Sequence, residues 1–90
     1  MKLDDLVFID SLPSIDLHGY DSDYARIKIN EFIKDNYIMG NQNVVIVHGI
    51  GSGIIRKTTN EVLHNNKLVI DYKNWPQNVG CTVVQIKMKQ

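Results

Sequence analysis

Two short stretches of this chain gather residue types that can do chemistry at a phosphate. The first is Asp16-Leu17-His18-Gly19. In an extended segment, residues two apart project to the same face, so Asp16 and His18 are expected to share a site. A carboxylate beside an imidazole orients the ring and stabilises its charged form. Such a pair can act as general base or acid in phosphodiester cleavage, and it can also bind a divalent metal. A plainer alternative stands beside this one. His18 can hydrogen-bond a loop carbonyl, and Asp16 can cap the neighbouring helix or loop.

The second stretch is His48-Gly49-Ile50-Gly51-Ser52-Gly53. Alternate glycines let the backbone approach a ligand closely, and a following helix adds partial positive charge from its N-terminal amides. Arg56 and Lys57 fall in the first turn of that helix and can add phosphate contacts. The spacing is G-x-G-x-G, so it is neither the dinucleotide fingerprint nor a P-loop, which needs Gly-Lys-Ser/Thr. The alternative is a tight strand-to-helix turn that needs glycine only for its backbone angles. Other candidates are weaker. Trp75 can stack on a base or plug the sheet edge, Cys81 reads as a small buried hydrophobe, and His64 caps a helix dipole.

The elements that must position these residues can be read from periodicity. Residues 1–13 form an apolar lead-in without a clean period, expected to dock on the domain that occupies 14–90. Pro13 favours an extended chain. Ser14–His18 reads as a strand, with Ile15 and Leu17 on one face and Asp16 and His18 on the other. Asp21 is a plausible N-cap, and Ala25, Ile29, Phe32, Ile33 and Tyr37 give one apolar helical stripe that stops at Gly40. Val44-Val45-Ile46-Val47 is four β-branched residues in a row, which suggests a central strand buried on both faces. A second helix is expected over 54–64, a third strand over 68–73 and a fourth over 81–88. The order is β-α-β-α-β-β. Two β-α units imply parallel pairing of the first strands, and the last two strands are close enough for a hairpin. The expected architecture is an α/β (α+β) two-layer sandwich, a four-stranded mixed sheet with two helices on one face. Both chemical stretches then fall at the C-terminal ends of the first two strands, where open α/β sheets bind ligands.

Composition narrows the function. Ninety residues are one domain's length. One cysteine excludes a disulfide framework and a cysteine-based zinc site. No apolar run is long enough for a membrane span, and the acidic N-terminus does not read as a secretory signal, so a soluble cytoplasmic chain is expected. Ten bases balance ten acids, which argues against tight nonspecific nucleic-acid binding. The balance is uneven along the chain. Residues 1–25 hold one base against six acids, and residues 26–90 nine bases against four acids.

Three segments together carry a family resemblance: Ile15-Asp16-Leu17-His18-Gly19, the run from Val45 through the glycine turn to Arg56, and Gly80-Cys81-Thr82-Val83-Val84. They resemble the Smr (small MutS-related) domain over about residues 14–88, as a stand-alone member or an excised domain. The resemblance implies a fold like the C-terminal domain of translation initiation factor three, and it implies nucleic-acid binding, with RNA cleavage or DNA nicking as the activity and the ribosome as a possible partner. It points to Asp16, His18 and His48 for catalysis, with His48 a second proton-transfer group. It points to Gly49, Gly51, Ser52, Gly53, Arg56 and Lys57 for the phosphate backbone. No cofactor is implied. Family members fused to MutS-like proteins often carry Arg where this chain has His18, and a glycine pair where it has Gln77 and Asn78.

Overall fold

A computed structural model describes residues 9–51 and 53–89. The elements run β1 (Ser14–Asp16), α1 (Ser22–Met39), β2 (Asn43–Val47), α2 (Ile54–Asn65), β3 (Val69–Asn74) and β4 (Cys81–Ile86). The four strands form one sheet in the order β1-β2-β4-β3. β1 and β2 are parallel, whereas β2–β4 and β3–β4 are antiparallel. This is the expected mixed sheet. The run of β-branched residues lies in β2, inside the sheet, with Val44, Val45 and Ile46 all buried.

Alternation along the strands divides the core in two. Toward the helices, Val44, Ile46, Val84 and Ile86 pack with Leu17 and with Ala25, Ile29, Ile33, Val62 and Leu63. On the opposite face Val45, Val83, Cys81 and Trp75 form a second cluster, joined by Ile9, Leu12 and Val47. Both helices therefore lie on one face, and the end of the lead-in with the β3–β4 loop covers part of the other. The first eight residues of the lead-in lie outside the described residues. Trp75 is buried in the second cluster, which uses its ring as a plug and removes it from base stacking.

Local chemistry sets the element ends. The Asp21 side chain accepts from the Tyr24 amide and caps α1, and Gly40 closes it at φ 81°. Three strand boundaries differ from the sequence expectation. β1 stops at Asp16 because its carboxylate accepts the His18 N–H at 2.9 Å and Gly19 turns the chain at φ 81°. Leu17 still shares a face with Ile15, as expected, and is buried in the helix-side cluster. β4 ends at Ile86 rather than continuing to Met88: its ladder pairs stop at Gln85 opposite Asn43 and Ile86 opposite Val69, and the Lys87 N–H then bonds the Leu68 carbonyl just outside β3 at 2.8 Å. β3 is displaced by one residue and carries an irregularity between Val69 and Asp71. Among the described residues, no helix is long and apolar enough to cross a membrane.

Candidate nucleic-acid interface

The parallel register of β1 and β2 brings the two motif stretches to one edge of the sheet. Asp16 stands opposite Val47, and the Leu17 N–H donates to the Val47 carbonyl at 2.9 Å. β4 enters at the same edge, with Cys81 opposite Val47. Asp16, Val47 and Cys81 thus form one row across three strands, on the face away from the helices. Burial pushes the Cys81 thiol up from its usual value, and the nearby Asp16 charge adds to the effect. A groove of about 310 Å³ runs along this face, lined by Ile9, Leu12, Ser14, Val45, Val47 and Cys81 among others.

His18 follows the strand end and is exposed. It does not project from a strand beside Asp16, as the sequence suggests. The two are linked through backbone, because the Asp16 carboxylate holds the His18 amide. The capping alternative is therefore realised for Asp16, while the imidazole of His18 stands in an exposed turn.

His48 is built differently. It is buried, and both ring nitrogens are engaged: Nδ1 with the Gly49 carbonyl at 2.9 Å and Nε2 with the Thr82 hydroxyl at 2.9 Å. Thr82 pairs with Ile46 on the helix side of the sheet, so His48 and Asp16 approach the edge from opposite faces. Burial holds His48 below the ordinary histidine value. The bond to Gly49 opposes that shift, and the Arg56 charge reinforces it. The ring as placed offers no open nitrogen to a substrate, which runs against the expected proton-transfer role.

The glycine turn is clamped from β4. The Gly80 carbonyl accepts from the His48 and Gly49 amides at 2.9 and 3.0 Å. A Cβ on Gly80 would lie 3.2 Å from Asn78 Oδ1 and 3.3 Å from the Gly49 Cα, so a side chain there would press on the turn and glycine fits best. Gly49 and Gly53 take φ of 81° and 85°, which a side chain would strain. Gly53 is the N-cap of α2 and has no side chain to satisfy the first-turn amides, and no acidic residue stands in that turn. Gly51, Arg56 and Lys57 are exposed; Ser52 lies outside the described residues. Arg56 donates to the Asn74 side chain at 3.2 Å, and Asn74 in turn donates to the carbonyls of Val79 and Cys81. Gly80 and Thr82 are legible in the sequence only as members of the third resemblance segment, with no role at the site, because their partners His48 and Gly49 lie more than thirty residues away; Asn74 carries no local signal at all. Among the described residues, no group of three or more His, Cys, Asp or Glu side chains comes together as a metal site.

A mixed sheet with helices on one face and a clamped glycine turn at the C-terminal end of β2 defines the class of small α/β domain to which this molecule conforms. The chain belongs to the Smr domain family, whose model matches residues 15–87. Endonuclease MutS2 of Clostridium perfringens is 35% identical over 74 residues, covering 82% of this chain and 9% of that protein. Endonuclease MutS2 of Streptococcus suis is 37% identical over 76 residues, covering 81% and 10%. The chain thus spans about a tenth of the length of these curated relatives. The crystal structure of the Smr domain of Thermus thermophilus MutS2 superposes with TM-score 0.82 at 24% identity, covering 84% of this chain and 99% of that one. YdaL, a stand-alone small MutS-related protein from Escherichia coli, gives 0.75 at 24% identity, covering 82% and 63%. These structural likenesses establish the shared fold.

Proposed function

We propose that this domain binds nucleic acid at the β1–β2 edge and cleaves a phosphodiester there by acid–base catalysis, with RNA the favoured substrate. The observation that carries the reading is the convergence of Asp16-Leu17-His18-Gly19 and the glycine turn on one edge through the Asp16–Val47 register. The naming of its relatives as endonucleases supports it. The turn amides, the uncapped start of α2, Arg56 and Lys57 form the phosphate cradle. In RNA the 2′-hydroxyl already neighbours the scissile phosphate, so the protein supplies proton transfer and charge stabilisation. His18 is the exposed proton-transfer group. Asp16 fixes the turn that carries it through the bond to its amide. The reading places the protein in the cytoplasm, names no cofactor and leaves a divalent metal open to the magnesium arms of the test.

A second reading, a binding module for structured RNA or the ribosome, is favoured by the same Asp16 bond, since it gives that carboxylate a structural task. Cleavage of labelled single-stranded RNA and duplex DNA by wild type and His18→Ala, with and without magnesium, separates the two. The endonuclease reading expects cleavage by wild type and a loss of 100-fold or more in a folded variant, on the order of a general acid–base contribution, with affinity changed less than about threefold. Binding without cleavage by wild type, or equal cleavage by both proteins, overturns it.

A further inference from the structure

The hydrogen bonds around His48 dictate one another. A carbonyl oxygen only accepts, so the Gly49 carbonyl requires the proton on Nδ1. In the neutral ring Nε2 then carries a lone pair, and the Thr82 hydroxyl must donate to it. The Gly49–Ile50 peptide is trans, as no peptide bond among the described residues is cis. In a trans peptide the carbonyl and the next N–H point in opposite directions. Holding the Gly49 carbonyl on the buried ring therefore turns the Ile50 N–H away from it, on a residue that is 73% exposed. The Gly49 N–H, which belongs to the preceding peptide unit, is held by Gly80, so the start of the turn is anchored and the bond from the ring to the Gly49 carbonyl sets the plane that follows.

We propose that His48 and Thr82 are positioning residues that aim the Ile50 amide of the glycine turn at a phosphate oxygen of the bound nucleic acid. The Thr82 hydroxyl sets the ring, the ring sets the Gly49 carbonyl, and the peptide plane sets the donor. This inference rests on the turn being the phosphate cradle. It assigns the histidine of the turn to donor geometry rather than to proton transfer, and it adds a β4 hydroxyl to the site.

The test combines nitrogen-15 NMR of the histidine rings and amides with binding of a labelled single-stranded RNA oligonucleotide. Wild type, Thr82→Val, Thr82→Ser and His48→Asn are compared at neutral pH. Wild type is expected to show the Nδ1–H tautomer for His48 and a downfield shift of the Ile50 amide when RNA is added. Thr82→Val keeps the shape but removes the hydroxyl. It should weaken binding roughly two- to tenfold, the worth of one hydrogen bond, and reduce the Ile50 shift. Thr82→Ser should restore both. His48→Asn keeps a donor near the δ position but loses the Thr82 contact, so it should weaken RNA binding roughly two- to tenfold, as Thr82→Val does, and lower RNA turnover by no more than about tenfold. An Nε2–H tautomer, or an Ile50 amide unmoved by RNA that the protein binds, overturns the proposal. So does a Thr82→Val protein that binds as wild type does. A 100-fold or greater fall in turnover for folded His48→Asn restores the proton-transfer role instead. Failure of wild type to bind any RNA removes the cradle reading itself, and the ring tautomer then still reports separately on the clamp.

Discussion

His18 and His64 are exposed, whereas His48 is buried between β4 and the glycine turn. That difference has a consequence for stability. Burial first, and the charge of Arg56 on α2 second, hold His48 below its ordinary value, against the bond to Gly49. The unfolded chain therefore takes up a proton on this residue at a higher pH than the folded one does. The neutral ring's contribution is complete above the ordinary histidine range, and it is lost as pH falls through that range towards the depressed folded value. Urea midpoints from pH 7.5 to pH 5 should consequently fall further for wild type than for His48→Asn, with the two exposed histidines common to both. Parallel curves would show that His48 does not titrate differently on folding. At this scale the sequence named the residue types well but misjudged their company. Asp16 and His18 are two apart on paper, and alternation would put them on one face. A single carboxylate-to-amide bond ends the strand between them.

Elements were more readable than contacts, because helix and strand ends are decided by neighbours in the chain. The Asp21 cap and the Gly40 stop of α1 lie within four residues of the groups they satisfy. Gly40 sits at φ 81°, and a Cβ added there would meet nothing within 4 Å, so only backbone strain penalises a substitution. Gly40→Ala is expected to cost about 1 kcal/mol in denaturant unfolding, and Gly40→Asn clearly less, since Asn tolerates the left-handed region. Equal costs for the two would place the penalty elsewhere. β3 and the end of β4 were less readable. Their limits depend on which partner strand remains alongside, and partners come from other parts of the chain.

The whole molecule is a sheet with apolar cover on both faces, and the thinner cover is the informative one. Val84 packs toward the helices and Val83 toward Trp75, Cys81 and the lead-in, and both are fully buried. Truncating either to Ala removes two methyl groups from a filled core, so each should cost about 2 kcal/mol. A Val83→Ala loss under about 0.5 kcal/mol would mean that the second cluster is not packed as a core. The chain's own residues determined the element order, the caps, the central β-branched strand and the two stretches suited to phosphate chemistry, because periodicity and turn chemistry act over a few residues. Tertiary structure alone decided that β4 lies between β2 and β3, that Gly80 and Thr82 clamp the glycine turn, and that Asp16 and His48 reach the edge from opposite faces. Those outcomes depend on register between strands more than thirty residues apart, and no local pattern encodes which hydroxyl or carbonyl will be waiting there.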